Sequence, residues 1–282
     1  FLIAPDAEES TVERRRLAKR PALSFSSVTN GSFMNGFEKY MLDQFPLRNG
    51  FRGLKATVSA KVFMKQDNNG LYSVGEHLSK LDFPTDSESV DHAARRFRYV
   101  YDTYLRNAGT KTYLSVIPDK NTFIASQNGY PDKDYKALTE RLRSGFPEAK
   151  YIDISGLLSA DDFYYTDSHW RQERITKVAD EIAAQMGAER IGTCEIQDTG
   201  GARSIIKITN PNAAQERRLI VFRDSFGSSI APLLAAGYSE ITLVDIRYIS
   251  PLSLGKLIDF TKADDVLFLY SASVINNSET IK

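Results

Sequence analysis

The stretch "RLIVFRDSFGSSIAPLLAAGYSEITLVDI", residues 218–246, decides the fold of this chain. Apolar runs at 219–222 and 241–244 have the composition of buried strands, and small and apolar residues between them suit a helix. A strand, a helix and a second strand in this order connect parallel strands of one sheet. The stretch therefore predicts an α/β domain.

The same alternation continues on both sides of this stretch. Its members are "KTYLSVIPDK" (111–120), "DKDYKALTERLRSGF" (132–146), "KYIDIS" (150–155), "HWRQERITKVADEIAAQMG" (169–187) and "DDVLFLYSA" (264–272). They predict a doubly wound, mostly parallel sheet with helices on both faces over residues 89–282, with a polar insertion at about 190–217. Residues 1–88 predict an N-terminal arm and helical segment that packs on this domain, with amphipathic helices on either side of Pro46 and a strand at 71–74.

Composition limits the classes of function. At 42% hydrophobic and 26% charged residues, the 282-residue chain has the composition of a globular protein, and its 36 basic and 36 acidic residues give no field that would attract nucleic acid. The single cysteine, Cys194, excludes an internal disulfide, and no Cys/His cluster has zinc-ligand spacing, so no structural metal is indicated. No apolar run is long enough to span a bilayer. The opening "FLIAP" from Phe1 reads either as the stub of a removed signal or membrane tether, or as a trimmed start.

Ser225 lies where a nucleophile would be useful. It follows the apolar strand at 219–222 on a tight turn into a helix, and ligands of open α/β sheets bind at the carboxyl ends of strands. Backbone N–H groups of Ser225 and the following residues could hold an oxyanion there. The alternative is that Asp224 and Ser225 only cap the helix, because both residue types are favoured at that position.

Asp167 and His169 supply the remaining groups of a triad from one loop, "YYTDSHW" (164–170). A serine hydroxyl needs a base within hydrogen-bond reach, and the base needs a carboxylate that fixes its tautomer. A lone histidine is more often structural, but a D-x-H unit and a strand-end D-S-F in one α/β domain are a more restrictive combination. We therefore expect Ser225, His169 and Asp167 to form a catalytic triad.

Aromatic and basic side chains near these residues suggest a carbohydrate ligand. Tyr164, Tyr165 and Trp170 flank the histidine, and aromatic faces stack on sugar rings. Inward packing of Trp170 is the alternative. Lys120 in "VIPDK" and Arg223 could attract an acidic glycan, or they could pair with neighbouring carboxylates.

These motifs resemble a known group of proteins. "TDSHW" looks like the signature of the DHHW family and of the AlgJ- and AlgX-like alginate O-acetylation proteins, and "FRDSF" is similar to their serine block, a relative of that of SGNH hydrolases. "ERRRLAKRPAL" with "FEKYMLDQFPLR" resembles their N-terminal segment, and "VIPDK" their strand ending in Pro-x-Lys. Together the matches span most of the chain. Ser168 and Arg223 depart from the family pattern.

The resemblance implies an SGNH-like α/β fold and acyl-ester chemistry on a bacterial envelope glycan or exopolysaccharide, outside the cytoplasmic membrane. It makes Ser225 the nucleophile, His169 the base and Asp167 the orienting acid, in an O-acetyltransferase or acetylesterase that needs no cofactor. It also implies an acetyl donor, delivered by a membrane acyltransferase. The alternatives are a catalytically idle glycan-binding or envelope assembly protein and a cytosolic hydrolase.

Overall fold

The structure is a computed structural model that describes residues 5–10, 15–63, 65, 67–189, 197–198, 204–213 and 215–282. Cys194 and much of the predicted insertion at 190–217 lie outside the described residues. The chain divides into two compact units, residues 1–69 and 70–282. The segment 70–88 therefore lies in the second unit, with the α/β domain.

The first unit consists of short elements. They are strands β1 (Glu9–Ser10) and β2 (Arg15–Arg16) and helices α1 (Phe25–Thr29), α2 (Ser32–Asp43) and α3 (Arg48–Lys61). Ser24 begins α1 with a capping box, because its hydroxyl accepts from the backbone N–H of Ser27 and the Ser27 hydroxyl accepts in return. As the sequence predicts, α2 and α3 lie on either side of Pro46.

The second unit contains the remaining elements. The strands are β3 (Leu71–Val74), β4 (His77–Lys80), β5 (Lys111–Ile117), β6 (Lys150–Tyr151), β7 (Gln197–Asp198), β8 (Ile205–Thr209), β9 (Arg218–Arg223), β10 (Glu240–Val244) and β11 (Asp265–Ser271). The α-helices are α4 (Ser87–Val100), α5 (Lys120–Ile124), α6 (Tyr135–Gly145), α7 (Thr176–Met186), α8 (Gly227–Leu234) and α9 (Ala272–Asn276). A π-helical turn at Tyr101–Leu105 extends α4.

In the described part of the unit, seven strands form one sheet in the order β6-β5-β11-β9-β10-β8-β7. The strands from β6 to β10 are parallel, and β8 and β7 add an antiparallel edge. A separate antiparallel hairpin is formed by β3 and β4. The predicted doubly wound, mostly parallel α/β fold is confirmed.

Helices cover both faces of the sheet because the central strands are apolar on both sides. In β9, Leu219 and Val221 belong to a core with α7 and α8, whereas Ile220 and Phe222 belong to a second core with α4, α6 and α9. Side chains alternate between the faces of a strand, so a continuous apolar run requires cover on both sides. This three-layer arrangement leaves the strand ends open for a site.

Two predicted elements differ from the structure. The helix predicted from His169 begins at Thr176, because Phe163 and Trp170 form an antiparallel bridge that holds 163–170 as a loop. Residues 205–209, in the polar insertion where the sequence allowed only short strands, form β8, which joins the main sheet between β10 and β7 because its Ile-Ile-Lys-Ile run suits a strand. The helix still ends at Gly187, whose φ of 65° is readily adopted by glycine.

Within the described ranges, no helix is both long and apolar enough to cross a membrane.

Candidate active site

A cleft of about 380 Å³ lies at the carboxyl ends of three neighbouring strands, β5, β11 and β9. The segment 119–121 lines it after β5, Ser271 and Ser273 line it at the end of β11, and Ser225 lines it after β9. The hairpin β3–β4 supplies a wall with Leu71 and Leu78. This is the edge at which open α/β sheets bind ligands.

Ser225 lies on the turn between β9 and α8, and a buried carboxylate holds that turn. Asp224 Oδ1 accepts from the Phe226 backbone N–H at 3.0 Å, and Oδ2 accepts from the Ser271 backbone N–H at 2.8 Å. Asp224 is fully buried, whereas Ser225 is exposed. The turn is thereby fastened to the end of β11 and presents the serine hydroxyl to the cleft.

Burial raises the pKa of the Asp224 carboxyl, and the hydrogen bonds from Ser271 and Phe226 oppose that rise. The group has no direct ion-pair partner among the described residues. Without this carboxylate, the backbone N–H groups of Phe226 and Ser271 would lose their acceptor, which explains why an acid is kept in a buried position. Asp224 therefore acts as a structural acceptor beneath the serine.

His169 bridges Ser225 and Asp167. Its Nε2 lies 2.8 Å from Ser225 Oγ, and its Nδ1 lies 2.6 Å from Asp167 Oδ1. The same carboxylate oxygen accepts the His169 backbone N–H at 2.8 Å. With a proton on Nδ1, the Nε2 lone pair faces the serine hydroxyl. The structure thus brings the three residues together at distances that permit proton transfer from the hydroxyl to the ring.

The Asp167 carboxylate is stabilised in its charged form. Partial burial acts to raise its pKa, but the two hydrogen bonds from His169 and the positive charge of Lys120 outweigh burial and lower the pKa below its usual value. The charged acceptor favours the Nδ1–H tautomer of His169 and would stabilise an imidazolium.

Lys120 lies beneath the 164–169 loop. Its side chain is buried, and Nζ donates to the carbonyl oxygens of Tyr164 at 2.8 Å, Tyr165 at 3.1 Å and Asp167 at 2.9 Å. The three N–H groups of an ammonium are thereby satisfied within the protein. Lys120 lines the cleft, but its donors are turned to the loop.

Trp170 and Arg223 also face inward. Trp170 is 1% exposed, packs edge-on against Phe226 and donates from Nε1 to Ser229 Oγ at 2.6 Å. Arg223 is buried beside Asp245, with Nη1 3.4 Å from Oδ2. Neither residue lines the cleft. Their side chains are used in packing and ion pairing inside the protein.

Tyr164 and Tyr165 are each 47% exposed on the loop that carries Asp167 and His169. The Tyr165 ring meets the His77 ring edge-on, with centroids 5.0 Å apart. Its carbonyl oxygen also accepts from the Leu78 backbone N–H at 2.7 Å, which ties the loop to the hairpin wall. Both rings are open to solvent on the loop that carries His169, although neither residue lines the cleft itself.

The turn offers fewer oxyanion donors than the sequence suggested. The N–H of Phe226 donates to the Asp224 carboxylate, that of Gly227 to the Asp224 carbonyl at 3.2 Å, and that of Ser228 to the Ser225 carbonyl at 3.3 Å. These three N–H groups are therefore already used in hydrogen bonds within the turn. The Ser225 N–H has no hydrogen-bond partner among the residues that the structure describes.

The sequence reasoning missed a buried charge cluster beside the cleft. The Lys133 ammonium pairs with both Asp82 and Asp119, and its side chain is completely buried. Asp119 follows β5 and was visible as a strand-end residue. Lys133 and Asp82 had no such signal, because neither follows a strand of the main sheet.

Among the described residues, no group of three or more His, Cys, Asp or Glu side chains could hold a metal ion.

The fold has counterparts among solved structures, although no family model and no curated protein matches the sequence. PatB1 from Bacillus cereus matches with a TM-score of 0.62 at 15% identity, covering 76% of this chain and 99% of its own. A DHHW family protein from Eubacterium siraeum matches with a TM-score of 0.60 at 15% identity, covering 76% of this chain and 95% of its own.

The O-acetyltransferase domain of Pseudomonas putida AlgJ matches with a TM-score of 0.51 at 13% identity, covering 73% of this chain and 92% of its own. At these identities the likeness shows a shared fold. The DHHW-like and AlgJ-like resemblance and the SGNH-like fold expected from the sequence are confirmed at that level.

Proposed function

We propose that this chain is a serine acyl-transfer enzyme that moves an acetyl group onto a carbohydrate hydroxyl. The observation that carries the proposal is the continuous hydrogen-bonded path from Ser225 Oγ through His169 to the Asp167 carboxylate, at 2.8 Å and 2.6 Å, with Ser225 exposed in a cleft. Ser225 is the nucleophile, His169 the base and Asp167 the residue that orients the base.

In the first half-reaction, Ser225 Oγ attacks the carbonyl carbon of an acetyl ester and His169 Nε2 takes the hydroxyl proton. The Ser225 N–H would donate to the oxyanion of the tetrahedral intermediate. Collapse of the intermediate breaks the bond to the donor oxygen, which receives the proton from Nε2. The donor leaves as an alcohol, and Ser225 carries the acetyl group.

In the second half-reaction, a sugar hydroxyl attacks the acetyl-serine while His169 Nε2 removes its proton. The second tetrahedral intermediate collapses, and the proton passes to Ser225 Oγ. The products are the acetylated sugar and the free enzyme. Water in place of the sugar hydroxyl would release acetate and make the same site an esterase.

The exposed rings of Tyr164 and Tyr165 are proposed to hold the sugar by stacking beside the triad. An acidic glycan would not find a free cation in Lys120 or Arg223, since both are buried and hydrogen-bonded or paired within the protein. The sugar-binding role suggested by the sequence is therefore proposed for the two tyrosines alone.

The proposed setting is outside the cytoplasmic membrane of a bacterium, with an envelope glycan or exopolysaccharide as acceptor. It rests on the sequence resemblance together with the fold shared with the AlgJ O-acetyltransferase domain. The acetyl donor would then be supplied by a membrane acyltransferase partner.

The test is acetyl transfer from p-nitrophenyl acetate to a panel of neutral and acidic oligosaccharides, read by mass spectrometry. Wild type should yield acetylated oligomers, and Ser225→Ala and His169→Ala should yield none. Release of acetate without any acetylated sugar would make the enzyme an esterase. Binding of the oligomers without turnover would favour an idle glycan-binding protein of the same fold.

A further inference from the structure

Three backbone carbonyl groups of the loop that carries Asp167 and His169 converge on one buried ammonium. They belong to Tyr164, Tyr165 and Asp167, and each lies between 2.8 and 3.1 Å from Lys120 Nζ. Carbonyl oxygens gathered around one point repel one another unless a cation lies between them. The Tyr165 carbonyl also accepts from the Leu78 backbone N–H at 2.7 Å, so the ammonium is its second donor. The loop therefore contains a cation site that the chain fills itself.

Lys120 must be charged to satisfy this site. A neutral amine has two N–H donors and an ammonium has three, so three carbonyl acceptors require the ammonium form. Burial lowers the pKa of Lys120, and the Asp167 carboxylate acts in the opposite direction. Lys120 is 2% exposed, so water cannot readily replace it as the donor.

The carbonyls held by Lys120 include that of Asp167 and two from residues shortly before it. The Asp167 carboxylate in turn holds His169 through both its backbone N–H and Nδ1. A shift of the Asp167 backbone would therefore move the ring away from Ser225. Lys120 begins helix α5 at the end of β5, a rigid point of the sheet from which such a shift can be resisted.

We propose that Lys120 is a positioning residue that acts as a tethered cation and folds the Asp167–His169 loop into its reactive geometry. This inference rests on the proposed function of the Ser225 site. It assigns Lys120 a role within the protein, in place of contact with the substrate.

A tethered cation can be replaced by a free one. Lys120→Ala removes the ammonium and leaves a cavity lined by the three carbonyls, into which ammonium or methylammonium can enter. Lys120→Met keeps most of the side-chain volume, so it has no room for a free cation. Lys136→Met, an exposed position on α6, is the matched control for loss of a lysine charge.

Two readouts are measured on each full-length variant. The first is the rate at which a sulfonyl fluoride labels Ser225, followed by intact mass. The second is amide hydrogen exchange in the peptide that spans 162–171, where Tyr164, His169 and Arg171 donate hydrogen bonds within the loop. Ammonium chloride is compared with sodium chloride at equal ionic strength.

We expect Lys120→Ala and Lys120→Met to label about 100-fold more slowly than wild type, the scale on which small misplacements of reacting groups act. Their loop peptide should exchange faster. Ammonium should restore both properties at least partly in Lys120→Ala and not in Lys120→Met. Lys136→Met should label and exchange like wild type with either salt. Labelling and exchange close to wild type in both Lys120 variants would overturn the proposal, and so would a loss in Lys120→Ala that ammonium leaves unchanged.

The exchange readout separates this proposal from the proposed function. If wild type does not label, Ser225 is not an activated nucleophile and the proposed function fails. Faster loop exchange in Lys120→Ala with recovery in ammonium would still support the tethered cation, whereas unchanged exchange would reject it.

Discussion

Trp170 Nε1 donates a hydrogen bond to Ser229 Oγ at 2.6 Å, and this bond joins the two segments that form the site. Trp170 directly follows His169, and Ser229 lies in the first turn of α8, which begins after Ser225. Phe226 packs between the two segments, with its ring against both His169 and Trp170. The base and the nucleophile are therefore held in register by a packed core.

Trp170→Phe is expected to lower stability without changing sugar binding. The substitution removes the bond to Ser229 and leaves a cavity in a core position that is 1% exposed, so the free energy of unfolding should fall by about 1–3 kcal/mol. Urea unfolding measures this loss, and the KM for the acceptor should stay near the wild-type value. A raised KM at unchanged stability would mean that the indole contacts sugar.

The opposite result is expected for Tyr164→Ala and Tyr165→Ala. A sugar stacked on either ring would lose about 0.5–1.5 kcal/mol of binding, so the acceptor KM should rise about 2- to 12-fold with little change in kcat. Tyr248→Ala, at a tyrosine that is 68% exposed and lies outside the loop that carries Asp167 and His169, is the control. Acceptor kinetics identical in all three variants would remove the tyrosines from the sugar site.

Gly227→Ala should disturb the turn that presents Ser225. A β-carbon at Gly227 would lie 2.5 Å from Arg223 Cβ, and Arg223 is buried with little room to move. Overpacking of this kind costs about 1–3 kcal/mol of stability, and we expect a loss of Ser225 labelling with it. Gly156→Ala is the control, because a β-carbon there would meet no atom within 4 Å. If Gly227→Ala and Gly156→Ala had equal stability and equal Ser225 labelling, the close approach of Arg223 to Gly227 would be contradicted.

Lys133→Met should destabilise the protein by an amount that depends on pH, because it removes the cation that pairs with Asp82 and Asp119. Lys133 lowers the pKa of Asp82, and it opposes the rise that burial gives to the pKa of Asp119. Without the ammonium, both carboxyls become harder to ionise in the folded protein than in the unfolded chain. The variant then loses stability as pH rises above their unfolded pKa of about 3.8.

In wild type the pKa of Asp82 lies below that value, so the difference between the variant and wild type should become small only at a pH low enough to protonate Asp82 in both. At about pH 7 the loss should reach about 3–5 kcal/mol, as for other buried pairs that lose one partner. Urea unfolding of Lys133→Met and of the exposed control Lys136→Met at several pH values gives the curve. A loss that is as large at about pH 4 as at about pH 7 would argue against an electrostatic origin.

The central strands and the meeting of Ser225, Asp167 and His169 could be predicted because both depend on local pattern. Apolar runs identify buried strands, and residues that follow parallel strands gather at one edge of the sheet. The direction in which a loop side chain turns depends on partners that are distant in sequence. Lys120 faces inward because the carbonyls of 164–167 are there, and Trp170 because Ser229 and Phe226 are there. The same bridge between Phe163 and Trp170 delays the helix to Thr176, which helical periodicity alone does not reveal.

The central claim is that Ser225 becomes acylated with His169 as its base. The most direct measurement is rapid quenching of wild type with p-nitrophenyl acetate, followed by intact mass and peptide mapping, beside Ser225→Ala and His169→Ala. We predict one added acetyl group on the peptide that contains Ser225 in wild type and none in either variant. An acetyl group on another residue, or equal acetylation in His169→Ala, would contradict the account.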